Sequence, residues 1–236
     1  HKGENYKNML TDKHFQNKEI LFEKGMINIE DVEVMGFRKA IKGMRNALNS
    51  WDKSDSNIAS CLEPITRCEK CPYHFVVCNE SEFFFIGDKD MDLAKRLIKA
   101  GSPDRKFMRM IHVQADVTAP FYWWKEYDTY KVGTTANSCS TMHTIHKRDF
   151  TIDDFSHDRL DDDIVYNYLN PIIEGLNLFR AQYNNSKDKK YWNQIIQLLP
   201  SSFNQMRTID LSYETLFSIY HQRKNHKLDE WHQFCD

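Results

Sequence analysis

A chain of 236 residues with 41% hydrophobic and 13% aromatic content carries enough apolar material for a sizeable core without disulfide staples. Its 32 basic and 34 acidic side chains leave a formal charge of −2, which removes any global pull toward nucleic acid or an anionic membrane. No apolar stretch approaches the roughly 20 residues of a membrane-spanning helix, and the first residues carry no signal-peptide core.

Residues 1–30 are polar with short apolar groups and read as a short surface helix or strand. From Glu30 to Ala47, "EDVEVMGFRKAIKGMRNA" places Val34, Phe37, Ile41 and Met44 at helical spacing and predicts a helix. "NSWDKSDSN" follows as a turn-rich stretch, and the cysteines lie beyond it. Asp88 or Asp90 is the expected cap of a helix "DMDLAKRLIKA", closed by Gly101. "KFMRMIHVQADV" alternates in part and reads as a strand, after which Pro120 opens an aromatic helix to about Tyr130. The acidic run "TIDDFSHDRLDDD" supplies caps for a long helix from about 160 to 184, and Pro200 stops a second helix, "KKYWNQIIQLL". "FNQMRTIDL" is a strand candidate, Ser212 caps "YETLFSIYHQRK", and "KLDEWHQFC" continues helically. With no repeat and no linker, the expectation is one α+β domain over 1–236. It is helix-rich around a small mixed or antiparallel sheet, with a cysteine-rich insertion at about 57–82.

Three segments carry candidate chemistry. In "CLEPITRCEKCPYHFVVC", Cys61, Cys68, Cys71 and Cys78 are spaced so that four thiolates can share one metal. Structural zinc and an iron–sulfur cluster both accept such a set, and free or redox-active thiols are the alternative. Six cysteines, four of them clustered, suit a reducing compartment, so the cytoplasm is the expected location. In "HQRKNHKLDEW", Arg223, Asn225 and His226 follow a helix, where a fork donor, an amide and an imidazole can converge on an anion or a base. A basic turn pairing with Asp229 and Glu230 is the plainer reading. In "YDTYKVGTTANSCSTMHTIH", Thr134, Thr135, Asn137, Ser138 and Ser140 crowd behind "PFYWWKEY", with Gly133 permitting close backbone approach. They could cradle a phosphate, or simply cap the next helix. The chain contains no Walker loop, no G-x-G-x-x-G, no H-E-x-x-H and no G-x-S-x-G.

The order of these segments resembles the flavin-dependent thymidylate synthases over roughly the last 150 residues, in the manner of a divergent phage or prophage branch. "QLLPSSFNQMRTIDLSYETLFSIYHQRKNHKLDEW" follows that family's run of helix, Leu-Pro, strand, and helix ending in an arginine. Upstream stands the counterpart of its signature, R-H-R, a gap, then S-x-N-E-x-S-x-R-Y. Thr135, Asn137 and Ser140 take the S, N and second S positions. Ser138 replaces the Glu, Met142-His143 replaces Arg-Tyr, and Tyr127-Asp128-Thr129 stands where Arg-His-Arg would be. The resemblance implies Arg223 on a pyrimidine nucleotide such as dUMP. It implies FAD contacts from Asn225, His226, Thr134, Thr135, Asn137, Ser138 and Ser140. It further implies methyl transfer with folate and NADPH, and a homotetramer with sites between subunits. The alternative from the same resemblance is a non-catalytic nucleotide-binding or assembly protein that keeps the fold.

Overall fold

The computed structural model describes residues 27–60 and 82–236. Cys61, Cys68, Cys71 and Cys78 lie outside the described residues, so the metal expectation for them does too.

The first predicted helix divides in two. Asn28–Met35 is strand β1, and only Phe37–Met44 is helix α1. Gly36 forces the break: its φ of 95° is left-handed, and a Cβ there would fall 2.1 Å from the carbonyl oxygen of Met110. Val34 then pairs with Val113 of a partner strand, while Val32 falls in an irregularity of β1, so sheet pairing overrides the helical spacing. Phe37, Ala40, Ile41 and Met44 of α1 are buried, as the remaining half of that pattern requires.

β2 (Asn57–Ser60) and β3 (Glu82–Phe85) pair antiparallel as a separate two-stranded ribbon. Helix α2 (Asp88–Ala100) ends at Gly101 as expected, but neither predicted acid caps its start. Asp55 does so from across the chain, accepting from the backbone N–H of Lys89 at 2.9 Å and of Asp90 at 3.2 Å. Gly87 makes room for it, since a Cβ there would meet the Asp55 carboxyl at 2.2 Å. Asp90 is fully buried. Its carboxylate accepts from Arg45 Nε and from the hydroxyls of Ser54 and Ser56, each at 2.5 Å.

β4 (His112–Pro120) is preceded by a 3-10 turn, Arg105–Met110, where the expected strand begins too early. Helix α3 (Phe121–Tyr127) starts directly after Pro120. The polar run that follows becomes strand β5 (Thr134–Ser138) and the single turn α4 (Thr141–Thr144). Asp162–Ile164 (α5), a π turn over Val165–Leu169 and α6 (Asn170–Ser186) make one helical run, as predicted. The π turn precedes Pro171, which has no N–H to continue the ladder. α7 (Lys189–Leu198), β6 (Asn204–Ser212), α8 (Tyr213–Arg223) and α9 (Asp229–Cys235) also fall where the sequence places them. The Ser212 hydroxyl accepts from the N–H of Thr215, the expected cap.

The main sheet is antiparallel with strand order β1-β4-β6-β5. Strand alternation divides its two faces. Ala115, Val117, Ala119, Ile209 and Leu211 point into one core with Trp123, Trp124, Tyr127, Ile219 and Trp231, so α3, α8 and α9 cover that side. The other face is polar and carries Gln114, Asp116, Thr208 and Asp210 in register. A second core joins α1, α2 and β3, and a third joins α6 and α7 to Phe150 and Phe155.

Glu214, in the first turn of α8, ties that helix to the turn before β4. It accepts from Arg109, from Ser102 Oγ at 2.9 Å and from Arg105 Nε at 3.2 Å. The hydrogen bond from Arg109 above all holds its carboxyl at about 2, against an ordinary 4.5. A depressed carboxylate stabilises the fold above its unfolded pKa, and that contribution is lost as pH falls toward the folded value. The melting-temperature gap between wild type and Glu214→Gln should therefore be constant above about pH 5 and should close on acidification through 4.5 toward 2. A gap independent of pH would show that the ion cluster is not its source.

Candidate functional site

The aromatic helix α3 builds the site's floor. Trp123, Trp124 and Tyr127 are buried, with Trp123 and Tyr127 stacked at 5.4 Å and Trp123 on Trp231 at 4.6 Å. Burying those three rings leaves the alternate positions Glu126 and Asp128 at the helix's open end. Glu126 accepts from Arg223 Nη1 at 3.0 Å, and Asp128 accepts from Arg207 Nη1 at 2.8 Å. Each arginine also lies over a ring: Arg223 is 5.0 Å from the Trp231 centroid and 5.5 Å from Tyr130, and Arg207 is 4.3 Å from Trp124.

Tyr130 joins the two predicted halves of the site. Its hydroxyl accepts from Arg223 Nε at 2.8 Å, and its carbonyl accepts from the Thr134 hydroxyl at 2.5 Å. The last residue of α8 and the first residue of β5 thus bond opposite ends of one residue. Arg223 Nη2 has no hydrogen-bond partner among the described residues. His226 lies edge-on to Trp231 at 6.3 Å, and its Nδ1 accepts from the N–H of Leu228 at 3.1 Å. A neutral His226 therefore carries its proton on Nε2. Asn225 is exposed in the turn between α8 and α9.

The remaining predicted residues separate. Thr134 and Ser138 register with Leu211 and Arg207 on the helix-covered side of the sheet. Thr135 and Asn137 register with Asp210 and Thr208, so they stand on the open polar face. Ser140 caps α4, its hydroxyl accepting from the N–H of His143 at 3.3 Å. Gly133, with φ of 70°, brings the chain against the start of α8, where a Cβ would stand 2.9 Å from Thr215 Oγ1. The crowding of small polar groups therefore encodes an edge strand and a helix cap as much as a ligand cradle. Past Ser138 the chain borders a cavity of about 320 Å3, with Cys139, Thr141, Arg148, Phe203 and Gln205 in its wall.

Sequence reasoning missed Glu126, Asp128, Tyr130, Arg207 and Trp231. The available signal was the pairing of arginines late in the chain with the two acids that follow the tryptophans.

Among the described residues no group of three or more His, Cys, Asp or Glu could hold a metal ion, and no helix is long and apolar enough to cross a membrane. No protein-family model matches the chain, and no curated protein does. Solved structures do. One is the flavin-dependent thymidylate synthase ThyX from Helicobacter pylori complexed with FAD and dUMP, with a TM-score of 0.57 and 11% identity. A second structure of that enzyme with the same two ligands has a TM-score of 0.57 and 12% identity. Each match covers 88% of this chain and 89% of the other. At such identity the likeness is one of fold: this chain is a helix-rich α+β domain built as the flavin-dependent thymidylate synthases are.

Proposed function

We propose that the chain binds a pyrimidine nucleotide of the dUMP type on the surface formed by Arg223, Tyr130 and the adjoining end of β5. The observation that carries this reading is Tyr130, which bonds Arg223 at its hydroxyl and Thr134 at its carbonyl in a fold whose solved examples hold dUMP and FAD. A guanidinium held over two aromatic faces with one nitrogen free is well suited to a uracil carbonyl. His226 stands edge-on to the same Trp231, and Asn225 is exposed in the turn that follows α8.

The residues present do not fit the pyrophosphate of a flavin dinucleotide. Arg207 and Arg223, the arginines at this surface, are both already matched by carboxylates from α3. A pyrophosphate would have to displace both Asp128 and Glu126, whereas a neutral uracil carbonyl can accept from the free Arg223 Nη2 with the Glu126 pair intact. The geometry therefore favours a nucleotide-binding role over FAD-dependent methyl transfer with folate and NADPH.

Calorimetric titration of dUMP tests the reading. Arg223→Ala removes a charge-assisted bond of about 1.5–3 kcal/mol and should weaken binding roughly ten- to a hundredfold. Glu126→Gln removes the carboxylate that competes for Arg223 and should tighten it by about tenfold. Equal affinity in wild type and Arg223→Ala would remove this surface from consideration. Added FAD should leave no bound visible absorption after desalting; retained flavin would restore the catalytic reading.

A shared site between subunits also follows from the proposal. Thr135 and Asn137 face away from Arg223, so a neighbouring copy is needed to bring that polar face to a nucleotide. The exposed Ile164, Tyr168 and Ile172 form an apolar stripe that such a copy could cover. Sedimentation at micromolar concentration should show a tetramer, and a single 28.1 kDa species would contradict it.

A further inference from the structure

Outside that surface, α1 turns Arg38, Lys39 and Lys42 to solvent while its other face enters the core. None of the three has an ion-pair partner among the described residues. They border a cavity of about 430 Å3 that also touches Arg45, Trp51 and Asn57, and no carboxylate among the described residues lines it. Arg45 is only 6% exposed; Asp90 takes its Nε from behind, leaving the guanidinium at the cavity wall. With Arg45 balanced by Asp90, three unpaired cations around one cavity remain a concentrated field in a chain whose formal charge is −2.

Trp51 supplies the second, independent observation. It is 46% exposed, which is unusual for so large an apolar ring, and its indole N–H is already satisfied by Asn46 Oδ1 at 2.9 Å. The ring is thus held in place with a face available to the cavity. A solvated basic helix face accounts for the cations alone, but not for a fixed, half-exposed tryptophan beside them.

We propose that this cavity binds a nucleoside phosphate, with the phosphates on Arg38, Lys39 and Lys42 and the base stacked on Trp51. The volume falls within the range of about 300–1,000 Å3 typical of small-molecule sites. Lysines hold phosphate as point charges, arginine adds a planar fork, and base stacking on an aromatic ring tolerates any base. Asn57 offers an amide to a base edge. A free nucleotide and one unit of a single strand share this chemistry.

The experiment uses the full chain and three probes: UTP, inorganic tripolyphosphate and a five-residue oligothymidylate. UTP should bind at least about tenfold tighter than tripolyphosphate, because stacking adds to charge. Arg38→Glu with Lys42→Glu should weaken UTP by at least about a hundredfold through two lost charge-assisted contacts. Both positions are exposed, and an unchanged melting temperature confirms that the fold survives. Trp51→Ala should abolish the preference for UTP over tripolyphosphate while keeping the phosphate affinity. The same loss should appear when the double charge reversal is made in an Arg223→Ala background, which separates this site from the one proposed above. Oligothymidylate binding more than tenfold tighter than UTP identifies a strand as the source, and the reverse identifies a free nucleotide. Absence of binding for all three probes at millimolar concentration overturns the proposal. So does indifference to the double charge reversal, or equal UTP and tripolyphosphate affinity in wild type.

Discussion

Asp90→Ala is expected to cost about 3–5 kcal/mol of stability, the scale for breaking a buried ion pair by removing one partner. At 2–4 °C per kcal/mol for a domain of this size, the melting temperature should fall by roughly 6–20 °C. Asp90 is fully buried, and its carboxylate gathers Arg45 Nε, two serine hydroxyls and the N–H of Ser56. Without it, Arg45 becomes an uncompensated charge at 6% exposure, and Ser54 and Ser56 lose their acceptor. Desolvation pushes the Asp90 carboxyl up, yet the hydrogen bonds from Ser54, Ser56 and Arg45 outweigh it and hold the group below its ordinary value. Its contribution is therefore present above the unfolded carboxylate pKa and is lost on acidification. Removing both charges together, as Asp90→Leu with Arg45→Met, should recover much of the loss, since an apolar pair carries no desolvation penalty. A drop below about 1 kcal/mol in the single variant would mean that the cluster is solvated in solution.

Trp231→Ala should be comparably severe, at about 3–5 kcal/mol for truncating a fully buried tryptophan. The ring is 0% exposed and contacts Trp123, Phe234, Tyr130 and His226 at once. It also lies beneath the Arg223 guanidinium. The same variant should therefore weaken dUMP binding even in the fraction that remains folded. Trp231→Phe should recover most of the stability and part of the affinity, because it keeps a ring under Arg223 but fills less of the core. Chemical denaturation read beside dUMP titration distinguishes the two effects. Loss of stability with affinity intact would show that Trp231 supports the core without supporting the site.

Much of this fold is legible in the sequence because its helices announce both a face and an end. Ser212 before "YETLFSIYHQRK" and Gly101 after "DMDLAKRLIKA" mark boundaries by local chemistry that tertiary contacts do not override. Residues 30–35 misled because Val34 extends the helical spacing of Phe37 and Ile41. Only the left-handed Gly36 and the pairing of Val34 with Val113 reveal a strand. β5 was illegible for a different reason. An edge strand with one open polar face and no large apolar residue has no alternation to read, and Thr134 to Ser138 look like a loop. Asp90 looks like a helix cap because an acid in the first turn usually is one; its burial depends on Arg45, 45 residues away in the chain.

The candidate site was half legible for related reasons. Arg223 ends a capped helix and His226 follows it, so both can be located by counting, and Thr134 is linked to Arg223 through Tyr130. Period-2 alternation then sends Thr135 and Asn137 to the opposite face, which a list of polar residues does not disclose. Glu126 and Asp128 were hidden because their meaning depends on arginines roughly 80 to 100 residues downstream. Those two pairings are what turn an apparent anion site into one with its charge already balanced.

The central claim is that a pyrimidine nucleotide lies against Arg223 above Trp231. Its most direct test is the indole N–H spectrum of protein carrying 15N-labelled tryptophan, recorded during a dUMP titration. The Trp231 indole N–H is buried and has no hydrogen-bond partner among the described residues, so its resonance should report a change in the charge above its ring. The account predicts a saturable shift of the Trp231 signal that disappears in Arg223→Ala and grows steeper in Glu126→Gln. A Trp231 signal that stays fixed while dUMP saturates the protein, or that moves equally in Arg223→Ala, would contradict it.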